Sequence, residues 1–188
     1  NDKKLMCGFV GSIGNTLNKK NLEDLILNLS HRGPDHSNIF QDKNVNVAFC
    51  RLAINDLTSN SHQPIINDHS ILLFNGEIYN FKELNYKYGF KKNLKSDTHT
   101  LFNLLSLKGK DALLEINGMF SFIFIDRLSG KFIAARDKFG QKPFFYSITK
   151  KGDFIFSSEV KCIIKSKKVD LDINQDQISH YLKFLHLD

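Results

Sequence analysis

Met6-Cys7-Gly8-Phe9-Val10-Gly11 sets a cysteine directly after a methionine and directly before a short apolar run. Removal of Met6 would make Cys7 the first residue of a strand, with its thiol and its α-amine on one residue. An α-amine has a reference pKa of about 7.7–8.0 and a thiol about 8.5, so at neutral pH the amine can take the proton that an attacking sulfur must lose. The plainer reading is a small residue opening a core strand, and the stretch by itself leaves both open. Asn1-Asp2-Lys3-Lys4-Leu5 stand before Met6 and block the Cys7 amine while attached. They are too short and too polar for a signal peptide, so residues 1–6 are expected to be a leader, added residues or the trace of an alternative start.

Outward from this stretch, residues 9–13 read as a strand ended by Gly14-Asn15. Leu22, Leu25, Ile26 and Leu29 then recur at the spacing of a one-faced helix starting near Asn18 or Asn21. Ser30-His31-Arg32-Gly33-Pro34-Asp35 is a polar turn. Val45, Val47 and Phe49 alternate as a half-buried strand running into Arg51. Residues 55–69 are loop-like, and residues 71–74 form a buried strand that ends at Asn75-Gly76-Glu77. Asn80 and Glu83 have capping-box spacing, predicting a short helix over 81–87. Further helices are expected from Ser96 or Asp97 and over 112–116, and a central strand over 119–125 hairpins to 131–136. A second hairpin covers 144–148 and 153–157, a short helix 160–165, and an amphipathic helix capped by Asn174 closes the chain. Six to eight strands and four to five helices in separate runs favour an α+β fold with stacked antiparallel sheets.

A chain of 188 residues with 41% apolar content supports one core. The net charge of +6 comes largely from scattered lysines, without the interleaved aromatics or module of a nucleic-acid site. Cys7, Cys50 and Cys162 are odd in number and lack CxxC spacing, which points to reduced thiols in a cytoplasmic setting and away from a cysteine zinc site. The histidines form no metal-ligand motif, so no metal is expected. No apolar run is long enough to span a membrane. Gly8, Gly11 and Gly14 match neither nucleotide-binding fingerprint.

The chemistry-bearing residues sit where elements end: Cys7 before the first strand, Arg51 after the third apolar run, Asn75-Gly76-Glu77 after the 71–74 strand, and Asp97 at a helix start. An arginine and two carboxylates suit a zwitterionic amino acid. An asparagine amide beside a glycine N–H suits the oxyanion of acyl transfer. Each residue also has a plainer account: Arg51 as an ion-pair partner, Asn75-Gly76 as a turn, Asp97 as a helix cap.

The ordered series Cys7-Gly8, His31-Arg32-Gly33-Pro34-Asp35, Arg51-Leu52-Ala53-Ile54, Gln63-Pro64, Asn75-Gly76-Glu77-Ile78-Tyr79-Asn80, Ser96-Asp97-Thr98, Gly118-Met119-Phe120, Arg136 to Pro143 and Ser158-Glu159-Val160-Lys161 resembles the class II glutamine amidotransferase domain of glutamine-hydrolysing asparagine synthetases. The resemblance implies a four-layer αββα sandwich of the N-terminal-nucleophile hydrolases over residues 7–169. In it Cys7 would attack the side-chain amide of glutamine, and Asn75 and Gly76 would form the oxyanion hole. Arg51, with main-chain groups near Leu52 and Ile54, would hold the substrate α-carboxylate, and Glu77 and Asp97 its ammonium. His31, Arg32, Gly33, Pro34 and Asp35 would support the pocket, and Arg136 and Asp137 would brace the sheet. His99 and Cys162-Ile163 depart from the usual residues at their positions. Residues 170–188 would be a linker and the start of an absent C-terminal synthetase domain. That domain would be the partner, with ATP and Mg as its cofactors and none for this one. A homodimer is also compatible with the resemblance, and the alternative function is a non-catalytic glutamine-binding or regulatory domain.

Overall fold

The computed structural model describes residues 7–52, 63–90, 96–172 and 174–185. Among these it contains nine strands in two antiparallel sheets. The first sheet has the order β2-β3-β1-β9-β8, built from β1 (Gly8–Ile13), β2 (His36–Asp42), β3 (Val45–Arg51), β8 (Phe145–Ile148) and β9 (Phe154–Ser157). The second has the order β4-β5-β6-β7, from β4 (Ile65–Ile66), β5 (Ser70–Ile78), β6 (Gly118–Asp126) and β7 (Phe132–Arg136).

Strand alternation sorts the apolar side chains into three interfaces, and these define four layers. Phe9, Val47, Phe49 and Phe156 of the first sheet meet Ile71, Leu73, Ile123 and Ile125 of the second. The outer face of the first sheet carries Val10, Ala48 and Ile155 against Leu22, Leu25 and Ile26 of α1 (Lys19–Leu27) and Cys162 and Ile163 of α4 (Val160–Lys165). On the other side, Leu72, Phe74, Phe122 and Phe124 pack under Leu84 of α2 (Phe81–Lys87) and Leu101, Leu104 and Leu105 of α3 (Asp97–Lys108). The molecule is therefore the helix–sheet–sheet–helix sandwich expected of it.

Helix starts follow local chemistry at two places. Asn18 and Asn21 form a reciprocal box at α1, each side chain accepting from the other's main-chain N–H at 2.9 and 3.1 Å. Asn174 caps α5 (Gln175–Phe184) by accepting from Gln177 N–H at 3.2 Å. The capping box expected at Asn80 does not form. Its amide instead donates to Glu115 O at 2.8 Å, and its oxygen accepts from Asn117 N–H at 3.0 Å, a tertiary pairing that outcompetes the local one. The expected helix over 112–116 is a 3₁₀ helix at Gly109–Leu114. α5 buries none of its side chains.

Candidate active site

The site lies at the end of the sandwich where β1 begins and β3 and β5 finish. Cys7 precedes β1, and the next residue, Gly8, pairs with Cys50, so Arg51 falls beside Cys7. The Cys7 thiol lies between the sheets against the Phe9 cluster. Its hydrogen-bond partners among the described residues are main-chain atoms of Leu52: Leu52 N–H donates to Sγ at 3.4 Å, and Sγ lies 3.8 Å from Leu52 O. Burial pushes the thiol up, against the opposing pull of the Leu52 N–H and the Arg51 and Arg32 charges. No imidazole or carboxylate among the described residues bonds to Sγ.

The His31-Arg32-Gly33-Pro34-Asp35 turn holds this corner from outside. Arg32 Nε donates to Cys7 O at 3.1 Å, and its Nη1 reaches Glu159 at 3.3 Å. Glu159 also takes His31 at 2.6 Å and Lys161 at 2.9 Å, which through Arg32 ties the start of α4 to the Cys7 carbonyl. Gly33 passes so close to Arg51 that a Cβ would stand 2.6 Å from its carbonyl carbon. Asp35 N–H donates to Arg51 O at 3.1 Å. Arg51 is only 7% exposed.

Across the gap, β5 delivers Asn75, Gly76 and Glu77. Asn75 sits two residues beyond Leu73 on the face turned to the first sheet and is 3% exposed. Gln63 fixes the strand just before it: its amide donates to Phe74 O at 2.8 Å and its oxygen accepts from Phe74 N–H at 2.6 Å. Asn75 Nδ2 is buried with no hydrogen-bond partner among the described residues. Gly76 has φ +155°, and a Cβ there would lie 2.1 Å from Met119 O, so the strand tolerates no side chain next to Asn75.

Asp97 occupies the first turn of α3 and does not merely cap it. One carboxylate oxygen accepts from Ile78 N–H at 3.0 Å and the other from Thr98 N–H at 2.8 Å, so the helix start is tied to the end of β5. Burial raises its pKa, the Ile78 and Thr98 N–H groups oppose this, and the nearby Glu77 carboxylate raises it further. An Asp97 carboxylate whose charge is disfavoured by burial and by Glu77 is one that a cation would favour.

Lys142 belongs to the Arg136 to Pro143 stretch, but the sequence reading gives it no role of its own. It is 9% exposed and has its pKa lowered by burial and by Arg32, with Cys7, Asp137 and Glu77 acting in the opposite sense. The charges of Cys7 and Glu77 are thus felt at its ammonium. The loop carrying it is organised by Asp137, whose carboxylate accepts from four main-chain N–H groups: Phe120 at 3.2, Phe139 at 3.1, Gln141 at 2.9 and Lys142 at 3.0 Å. Arg136 Nε donates to Lys142 O at 2.8 Å. Thus Arg136 and Asp137 lie beside the site and shape its wall. Ile54 lies outside the described residues, and no cluster of three or more metal-ligating side chains occurs among the described ones.

Asp137→Asn is expected to destabilise the fold by about 2–4 kcal/mol, lowering Tm by roughly 5–15 °C, because an amide leaves at least one of those buried N–H groups unpaired. Burial would raise the Asp137 pKa, but the four N–H groups outweigh it and hold the pKa below the ordinary value. A depressed folded-state pKa stabilises above the unfolded-state value of about 3.9 and loses that contribution as pH falls. The Tm gap between the two proteins should therefore be full at pH 5–7 and narrow below about pH 4, as measured by thermal unfolding.

The family model described as a glutamine amidotransferase domain matches residues 6–188. The chain belongs to the glutamine amidotransferase domain family. Among its relatives, asparagine synthetase 1 of Bacillus subtilis, named as glutamine-hydrolysing, is 34% identical over 95% of this chain and 30% of its own length. Asparagine synthetase 2 of the same organism is 36% identical over 84% of this chain and 22% of its own. The Zea mays enzyme is 34% identical over 84% and 28%. The chain thus spans a third or less of these relatives' lengths. No helix among the described residues is long and apolar enough to cross a membrane.

Proposed function

We propose that this amidotransferase domain hydrolyses glutamine to glutamate and ammonia through a thioester on Cys7. The observation that carries the reading is a partly buried thiol with no side-chain base bonded to its sulfur among the described residues, in a sandwich whose β5 carries a buried amide donor with no partner among them. A thiol pushed up by burial needs a base at neutral pH. The α-amine of Cys7 itself, freed when the preceding residues are removed, has the right pKa and the right place.

Sγ attacks the glutamine δ-carbon while the amine takes the thiol proton. The carbonyl oxygen becomes an oxyanion held by Asn75 Nδ2 and Gly76 N–H. The C–N bond then breaks, the proton passes to the leaving nitrogen, and ammonia departs. Water adds to the thioester and releases glutamate. Arg51, with Leu52 and Ile54 main-chain groups, holds the substrate carboxylate, and the Glu77–Asp97 pair receives its ammonium. The ammonia would serve ATP-dependent amidation of aspartate or another carboxylate by a C-terminal synthetase region, with residues 170–188 leading into it. The greater length of relatives named asparagine synthetases supports this.

The test is glutamine hydrolysis by a chain confirmed by intact mass to begin at Cys7. Equimolar glutamate and ammonia are expected, and a correctly processed chain that releases neither overturns the reading. In the same assay Arg51→Ala should raise KM for glutamine by roughly 30–100-fold with kcat changed much less, since a carboxylate clamp binds ground and transition states alike. An unchanged KM would remove Arg51 from the pocket.

A further inference from the structure

Asn75 Nδ2 is not alone in lacking a partner. Ser121 Oγ is likewise buried with no hydrogen-bond partner among the described residues, and Ser121 is 0% exposed. The two residues are directly opposite each other in the β5–β6 ladder, so their Cβ atoms lie about 4.5–5.5 Å apart on one face. That face is the one turned to the first sheet, since Leu73 and Ile123, two residues further along each strand, enter the core between the sheets. On the other side of Ser121 the ladder places Arg136, whose guanidinium is engaged by Lys142 O and Gly140 O.

An unpaired buried hydroxyl costs stability, and alanine would fill the same space without that cost. Ser121 stands inside the otherwise apolar run Phe120–Ile125, where nothing in strand formation calls for a hydroxyl. Two orphaned donors side by side on one face of the ladder point to a shared ligand atom. We propose that Ser121 Oγ–H is a further catalytic donor, bonding, together with Asn75 Nδ2, the oxygen that becomes the oxyanion when Cys7 adds to glutamine. The proposal rests on the glutaminase reading. In that step the Sγ–C bond forms, the carbonyl π pair moves onto oxygen, and the thiol proton goes to the Cys7 amine. Ser121 keeps its proton and lends it only as a hydrogen bond.

Ser121→Ala tests this. One hydrogen bond made chiefly in the transition state corresponds to about a tenfold loss of kcat. KM for glutamine should stay within about twofold, and Tm should be unchanged or higher, because an unsatisfied group has been removed. The γ-aldehyde analogue of glutamine adds the thiol across its carbonyl without turnover, and its adduct presents an oxygen at the same place. Its affinity for the variant should fall by about the same tenfold factor. Unchanged kcat in an active protein, or an activity loss that follows a lowered Tm with aldehyde affinity intact, overturns the proposal. If the processed wild-type chain hydrolyses no glutamine, the function fails separately and the aldehyde adduct on Cys7 still decides. Equal affinity in both proteins then overturns the role of Ser121, and weaker affinity in the variant supports it.

Discussion

Cys7→Ala is expected to abolish glutamate release, a loss of at least about 10⁴-fold, while leaving the fold and glutamine binding in place. The fold should survive because Cys7 stands just outside β1, is only partly buried, and contributes through its sulfur one weak exchange with Leu52. Its carbonyl, which Arg32 holds, is untouched by the substitution. Binding should survive because the groups proposed for the carboxylate and ammonium belong to β3, β5 and α3. Addition of glutamine should therefore still raise Tm in proportion to ln(1 + [L]/Kd). Cys7→Ser should be strongly impaired, since a hydroxyl is a far weaker nucleophile than a thiol and needs more help from the same α-amine. For the wild-type processed chain, glutaminase activity should rise with pH through the amine's titration. Residual turnover in Cys7→Ala near the wild-type rate would transfer the chemistry to another group and sink the N-terminal-nucleophile assignment.

Much of the sandwich could be read from the chain because its central strands carry their own signal. Phe120–Ile125 is apolar on both faces, as a strand between a sheet and a helical layer must be, and β1 and β3 alternate around small residues. β2 was not expected, and its composition explains why: His36-Ser37-Asn38-Ile39-Phe40-Gln41-Asp42 is an edge strand with few apolar side chains, made a strand by its pairing to β3. β4 is two residues long and depends on β5 in the same way.

The site shows a similar division. Cys7, Arg51, Asn75 and Asp97 stand at element ends, where strand and helix signals stop, so pattern alone drew notice to them. Their convergence required the fold. Lys142 and Ser121 carry no such mark. A lysine in a basic chain looks solvated until it is found buried and under the influence of Arg32, and a serine inside a phenylalanine-rich run looks like a packing accident until its hydroxyl is seen without a partner among the described residues. Asn80 errs in the other direction, since local spacing promised a helix cap and a tertiary bond took the side chain.

Asn75→Ala should lower kcat for glutamine hydrolysis by about 10²–10³-fold, equivalent to about 2.7–4 kcal/mol of transition-state stabilisation. KM should change far less, because the donor is needed mainly once the carbonyl oxygen acquires charge. The effect on stability is expected to run the opposite way from that of most buried polar deletions. A buried amide nitrogen bonded within the fold would be missed when removed, typically at a cost of about 0.5–1.5 kcal/mol. Asn75 Nδ2 has no such bond, so its removal deletes an unsatisfied donor, and Tm should not fall by more than the small loss of packing. Asn75→Asp is the sharper variant, since it keeps the shape and places an acceptor, charged near neutrality, where the oxyanion must form. It should be at least as inactive as the alanine variant at pH 7. A buried unpaired donor costs stability, and a hydrogen bond made at some stage of the reaction would give that cost a purpose. Stability retained and turnover lost, in one substitution, is the signature that identifies that stage as the tetrahedral oxyanion; a large fall in Tm with kcat preserved would make Asn75 a structural residue and leave the oxyanion to the Gly76 N–H alone.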